Sequence, residues 1–99
     1  MTPEAALTRI REAFGQGRYS VHSHAQRRMR ERHASLFEIK HAVQQATGIA
    51  PWAERSPVTD PPTTSWRVVG PDLDGDDLTV GIDLVVDHLG GFTIVITVF

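Results

Sequence analysis

Residues 78–87 alternate without error: Leu78, Val80, Ile82, Leu84 and Val86 on one side, Thr79, Gly81, Asp83, Val85 and Asp87 on the other. A period of two marks a half-buried β-strand with one solvated face. After a turn-forming run, Asp87-His88-Leu89-Gly90-Gly91, a second strand sends Phe92, Ile94, Ile96 and Val98 one way and Thr93, Val95, Thr97 and Phe99 the other. So short a link predicts antiparallel pairing of 78–87 with 91–99. Slippage by one residue would drive Asp83 and Asp87 into the core, so the register is tightly specified. Upstream, Trp66 and Val68 alternate with Arg67 and Val69, and 70–77 reads as a turn. The C-terminal part of the chain is therefore expected to be an antiparallel meander, and its apolar face needs a cover.

Three helices upstream can supply it. Thr2-Pro3 is a helix start, with Thr2 as N-cap and Pro3 in the first turn, and Leu7, Ile10 and Phe14 form its apolar stripe before Gly15 and Gly17. Residues 18–22 are short and extended. Ser23 then reads as an N-cap, with Gln26 completing an S-x-x-Q capping box, and Ala25 and Met29 give the second helix a narrow inner stripe. Ser35-Leu36-Phe37-Glu38 is an S-x-x-E box opening a third helix, whose Leu36, Ile39, Val43 and Ala46 face inward and which Gly48 ends. The expectation is an α+β, two-layer fold in a single domain over 1–99, three N-terminal helices packed on the C-terminal meander. Pro51, Pro57, Pro61 and Pro62 exclude helix from 48–65, which reads as a long loop with a short edge strand at Trp52–Arg55.

With no cysteine, disulfides and thiolate metal sites are impossible. Glu4 follows the start directly and no apolar run comes next, so no signal peptide is expected, and a cytoplasmic protein without a membrane span is the default. The net charge of −2 hides a division: 18–40 carries six basic and two acidic residues, while 72–87 carries six aspartates and no Lys or Arg. A basic patch of that kind can bind phosphate even when the whole chain is slightly acidic.

The basic patch centres on Tyr19-Ser20-Val21-His22-Ser23-His24-Ala25-Gln26-Arg27-Arg28-Met29-Arg30-Glu31-Arg32. With a helix opening at Ser35 and a last strand Val95-Ile96-Thr97-Val98-Phe99, this resembles a bacterial family of small uncharacterised domains with an S-x-HA-x-x-RM-x-ER signature. That family is grouped with RelE/ParE and BrnT type toxins, metal-independent messenger ribonucleases paired with an antitoxin. The resemblance implies a RelE/BrnT-like fold, RNA as substrate and a cognate antitoxin as partner. Its last strand usually ends on Tyr, where this chain has Phe99.

Metal-free RNA cleavage needs a base for the 2′-hydroxyl, cations for the phosphorane charge and an acid for the leaving oxygen. His24, Arg28 and Arg32 fall at one-turn spacing and would align an imidazole with two guanidinium forks, as catalytic residues. Arg27, Arg30 and His22 flank them as nucleic-acid contacts. Glu31 would pair with Arg27 at i, i+4. No cofactor is expected, and no metal: His22, His24, His33 and His41 lie among arginines, and Asp72, Asp74, Asp76 and Asp83 match EF-hand spacing without its glycine or flanking helices. Trp52 and Trp66 could stack on bases, although such a Trp is more often core. Two other readings use the same surfaces: a non-catalytic protein-interaction module, and a nucleic-acid binder that contacts phosphate without cutting.

Overall fold

The structure, a computed structural model, describes residues 1–52, 58, 59, 62–87 and 89–98. Helix α1 spans Pro3–Gly15, with the Thr2 hydroxyl accepting from the Ala5 amide at 3.1 Å as its N-cap. It buries Ala6, Ile10, Ala13 and Phe14, with Leu7 half-buried beside them. The extended segment that follows is a strand in the sheet. β1 (Tyr19–Val21) pairs in parallel with β6 (Phe92–Val98), Ser20 opposite Val95. The sheet is thus a meander with one parallel edge, because the chain returns to β1 only after the two further helices and four strands.

Helix α2 covers Ser23–Glu31. Its N-cap is His22, one residue before the expected Ser23, and the His22 Nδ1 accepts from the His24 amide at 3.2 Å. The β1 ladder decides this shift. The His22 amide donates to the Ile96 carbonyl at 2.8 Å, so His22 still has extended geometry and the helix begins after it. Gln26 reaches back as a capping-box residue would, but its Nε2 donates to the Val21 carbonyl at 3.2 Å. Helix α3 (Leu36–Gln44) starts where its S-x-x-E box predicts, with the Ser35 hydroxyl accepting from the Glu38 amide at 3.2 Å. Ile39, Ala42 and Val43 are buried and Leu36 and Ala46 half-buried.

Gly48 does not end the third helix, which stops at Gln44 with Gln45 as its C-cap. It begins β2 (Gly48–Pro51), antiparallel to β4 (Pro62–Pro71), with Ile49 opposite Val68 and half-buried against the core. The edge strand therefore precedes Trp52, and 53–55 of the expected Trp52–Arg55 strand lie outside the described residues. Prolines occupy the last position of β2 and the ends of β4, where a missing ladder donor costs least. β3 (Val58–Thr59) pairs with the start of β4. β5 spans Asp77–Val86, and the order across the sheet is β1-β6-β5-β4-β2.

From Ile82 to Val86 the β5/β6 hairpin has the expected register, with Ile82 opposite Ile96 and Leu84 opposite Ile94, and a shift between Gly81 and Ile82 then sets Val98 opposite Gly81. Val80, Ile82, Leu84, Ile94 and Ile96 are fully buried in the same core as Ile10, Phe14, Ile39 and Val43. Gly70 and Pro71, expected in a turn, extend β4 instead. A Cβ at Gly70 would run into the Ala42 carbonyl, so α3 rests directly on this strand's backbone. The turn itself is 72–76, closed by Asp72 Oδ1 accepting from the Asp74 and Asp76 amides at 2.9 Å each, with Gly75 at φ 89°. Asp87 closes the β5–β6 turn in the same way, through the Leu89 and Gly91 amides at 2.8 Å. Two of the six aspartates of 72–87 therefore serve turn chemistry. Among the described residues no helix is long and apolar enough to cross a membrane.

Candidate functional site

β4 and β5 present Arg67, Asp77, Thr79 and Gly81 on one face, opposite to the face carrying Val68 and Val80. The ladder sets Arg67 across from Gly81. Gly81, with no side chain, lowers the floor between the taller neighbours. The described part of β6 pairs with β5 only from Gly81 to Val86, and α2 packs against β6. From α2 come Arg28 and Arg32, one turn apart. Together with Trp52, Arg67, Asp77, Leu78, Thr79 and Gly81 they line a groove of about 450 Å³. Trp52 is tethered by its amide, which donates to the Ser65 carbonyl at 3.0 Å. The Arg67 guanidinium carbon stands 5.7 Å from the centre of the Trp52 ring, a cation–π distance.

The expected site residues divide between two sides of α2. An α-helix turns about 100° per residue, so Arg30 points nearly opposite to Arg28 and Arg32. It borders a separate depression with Gln26, Met29, His33 and Ala34. Arg27, His22 and His24 are exposed. His24 lies one turn before Arg28, outside the lining of the groove. Arg28 is half-buried, and its Nη1 meets Glu31 Oε2 at 3.3 Å. Glu31 is thus paired at i, i+3 with Arg28, not at i, i+4 with Arg27. Such a pair is worth about 0.2–1 kcal/mol at the surface.

Arg67, Asp77 and Thr79 were not singled out from the sequence. The alternation around Trp66-Arg67-Val68 does put Arg67 on the solvated face, but nothing local says that α2 would lean towards it. The two tryptophans separate: Trp66 is 4% exposed in the core, its indole N–H donating to the Thr64 hydroxyl at 2.8 Å, whereas Trp52 borders the groove.

Among the described residues the acidic side chains that gather are Glu38, Asp72 and Asp74, with one oxygen from each within 4.8 Å of the others. Two of these are already engaged, since Asp72 closes its turn and Glu38 Oε1 accepts from the Leu73 amide at 3.4 Å. Asp83, the last position of the EF-hand spacing, sits on β5 and accepts from the Ser65 hydroxyl at 2.6 Å, away from that loop. His22, His24, His33 and His41 contribute to no such group. Phe99 lies outside the described residues.

No curated protein and no solved structure significantly matches the chain. A family model does match, over residues 21–99, from the end of β1 through the last strand and including α2 and the whole groove lining. The chain belongs to the family described as a domain of unknown function, DUF4258.

Proposed function

We propose that this domain binds RNA through the Arg28–Arg32 groove and acts as a toxin-like, metal-independent ribonuclease whose cognate antitoxin is its protein partner. The observation that carries the reading is the convergence of Arg28 and Arg32 with Arg67 and Trp52 on one groove. Guanidinium forks match phosphate oxygens bidentately, and their charge is placed to favour a pentacoordinate phosphorane over the phosphodiester. An indole beside them adds a stacking surface that a purely anion-binding patch would lack. A RelE/BrnT-like arrangement, helices on one side of a meander, and a cytoplasmic site of action belong to the same reading. His24 is the base in this scheme, taking the 2′-hydroxyl proton. Standing outside the groove lining, it can act only on a strand that continues along α2 towards its N-terminus.

Incubating RNA with the protein in chelator-containing buffer tests this. The wild type is expected to cut, His24→Ala to bind without cutting, and Arg28→Ala or Arg32→Ala to lose binding worth about 1–3 kcal/mol each. Variants that stay folded by circular dichroism yet treat RNA as the wild type does would refute the ribonuclease assignment.

One observation favours the interaction-module reading. Phe37 and Leu73 are 69% and 54% exposed, and Leu73 is held at the Glu38 carboxylate beside Asp72 and Asp74. Exposed apolar side chains with carboxylates close by suit a basic partner segment. On that reading the protein is harmless when expressed alone and leaves RNA intact.

A further inference from the structure

We infer that the groove accepts one unstacked nucleotide of a single strand and that the base it prefers is guanine. The inference rests on the RNA reading above and gives it a substrate class. Three features of the groove carry it. First, the lining combines an aromatic plane with two phosphate-binding forks, so base and backbone can be held together only if the base has left its stack. Second, the volume, about 450 Å³, lies within the range of small-ligand pockets, roughly 300–1,000 Å³, and suits a single nucleotide. Duplex RNA, recognised by shape, needs contacts spread over successive grooves.

Third, among the described residues of the lining there is one carboxylate, Asp77, at the start of β5. It shares the face of the strand that carries Thr79 and Gly81, four residues before Gly81. An ionised carboxylate only accepts hydrogen bonds. Among the RNA bases guanine alone offers two adjacent N–H donors on its Watson–Crick edge, from N1 and the exocyclic N2, which match the two carboxylate oxygens. Adenine and cytosine offer an amino group beside an acceptor nitrogen, and uracil offers one imide N–H between two carbonyls, so each would set an acceptor against Asp77. Trp52 would then serve as the platform, Asp77 as the reader of the base edge, and Arg28 and Arg32 as the phosphate clamp.

The test uses the intact chain and fluorescein-labelled ribo-oligomers in anisotropy titrations: an oligoadenylate, the same oligomer with one central guanosine, and that second oligomer annealed to its complement. The guanosine oligomer should bind about tenfold tighter than the oligoadenylate, the discrimination expected of a good bidentate base contact. Annealing should remove the advantage. Asp77→Asn should lower the guanosine oligomer to the level of the oligoadenylate, and Trp52→Ala should weaken both single strands. Equal binding of the two single strands, or duplex binding as tight as single-strand binding, overturns the inference while leaving the RNA reading intact. A guanine preference that survives in Asp77→Asn overturns the role of Asp77, and absence of binding to all three oligomers overturns both proposals.

Discussion

His33 has a φ of 53°, the one positive value on a non-glycine among the described residues. It stands just past the Arg32 C-cap of α2, where the His33 amide donates to Arg30 and the Ala34 amide to Met29, the two bonds of a Schellman ending. Glycine is the usual occupant because a Cβ in this conformation is crowded, at a cost of about 1–2 kcal/mol. His33→Gly is therefore expected to raise stability by about 0.5–1 kcal/mol after the added flexibility of the unfolded chain is subtracted, read as a higher denaturant midpoint at unchanged slope. At the other end of α2, His22→Ala should cost about 0.5–1 kcal/mol and His22→Asn should restore it, since Asn also accepts from the second helical amide. Comparing RNA binding of the two His22 variants separates the cap from any phosphate contact. Residue-scale features of this sort were half-visible in the sequence. The capping signal around Ser23 was real, but the ladder bond from His22 to Ile96 lies between residues far apart in the chain and moved the cap by one position.

Among the elements, those with an uninterrupted period were legible. β5 and β6 take the expected register, and α1 and α3 begin at Thr2-Pro3 and Ser35, because each signal is local: alternation, a cap, a proline in the first turn. β1 and β2 were hidden for the opposite reason. A strand of three or four residues carries too little pattern to stand out, and both exist because longer strands offer a paired edge. Gly70 shows the same limit. Its composition neighbours, Pro71 and Asp72, say turn, yet it lies in β4 under the Ala42 carbonyl. Substituting Gly70→Ala should consequently destabilise the fold by about 1–3 kcal/mol through displacement of α3, an overpacking effect visible as a lowered thermal midpoint. A glycine in an open turn with negative φ would respond weakly to the same change.

Across the whole molecule, the division of charge noted in the sequence takes on a different meaning. Two of the six aspartates of 72–87, Asp72 and Asp87, close turns and a third, Asp77, lines the groove, while the arginines of α2 split between the groove and the far side of the helix. Helix α1, outside the family match, is structural: it buries Ile10 and Phe14 in the shared core, and Arg11 Nε donates to the Val43 carbonyl at 3.2 Å, tying it to α3. What the helix spacing alone could not supply was the second half of the candidate site. Arg67 and Trp52 come from segments distant in sequence and meet Arg28 and Arg32 only through the packing of α2 on the sheet.

The central claim is that this assembled groove binds RNA phosphate. Its most direct test is the salt dependence of single-stranded RNA binding by the wild type and by Arg28→Ala/Arg32→Ala, both checked for folding. Each phosphate engaged contributes a slope of about −0.7 to log K against log salt. A negative slope is expected for the wild type, shallower by about 1.4 in the double variant, together with weaker binding at every salt concentration. A folded double variant with the slope and affinity of the wild type would contradict it.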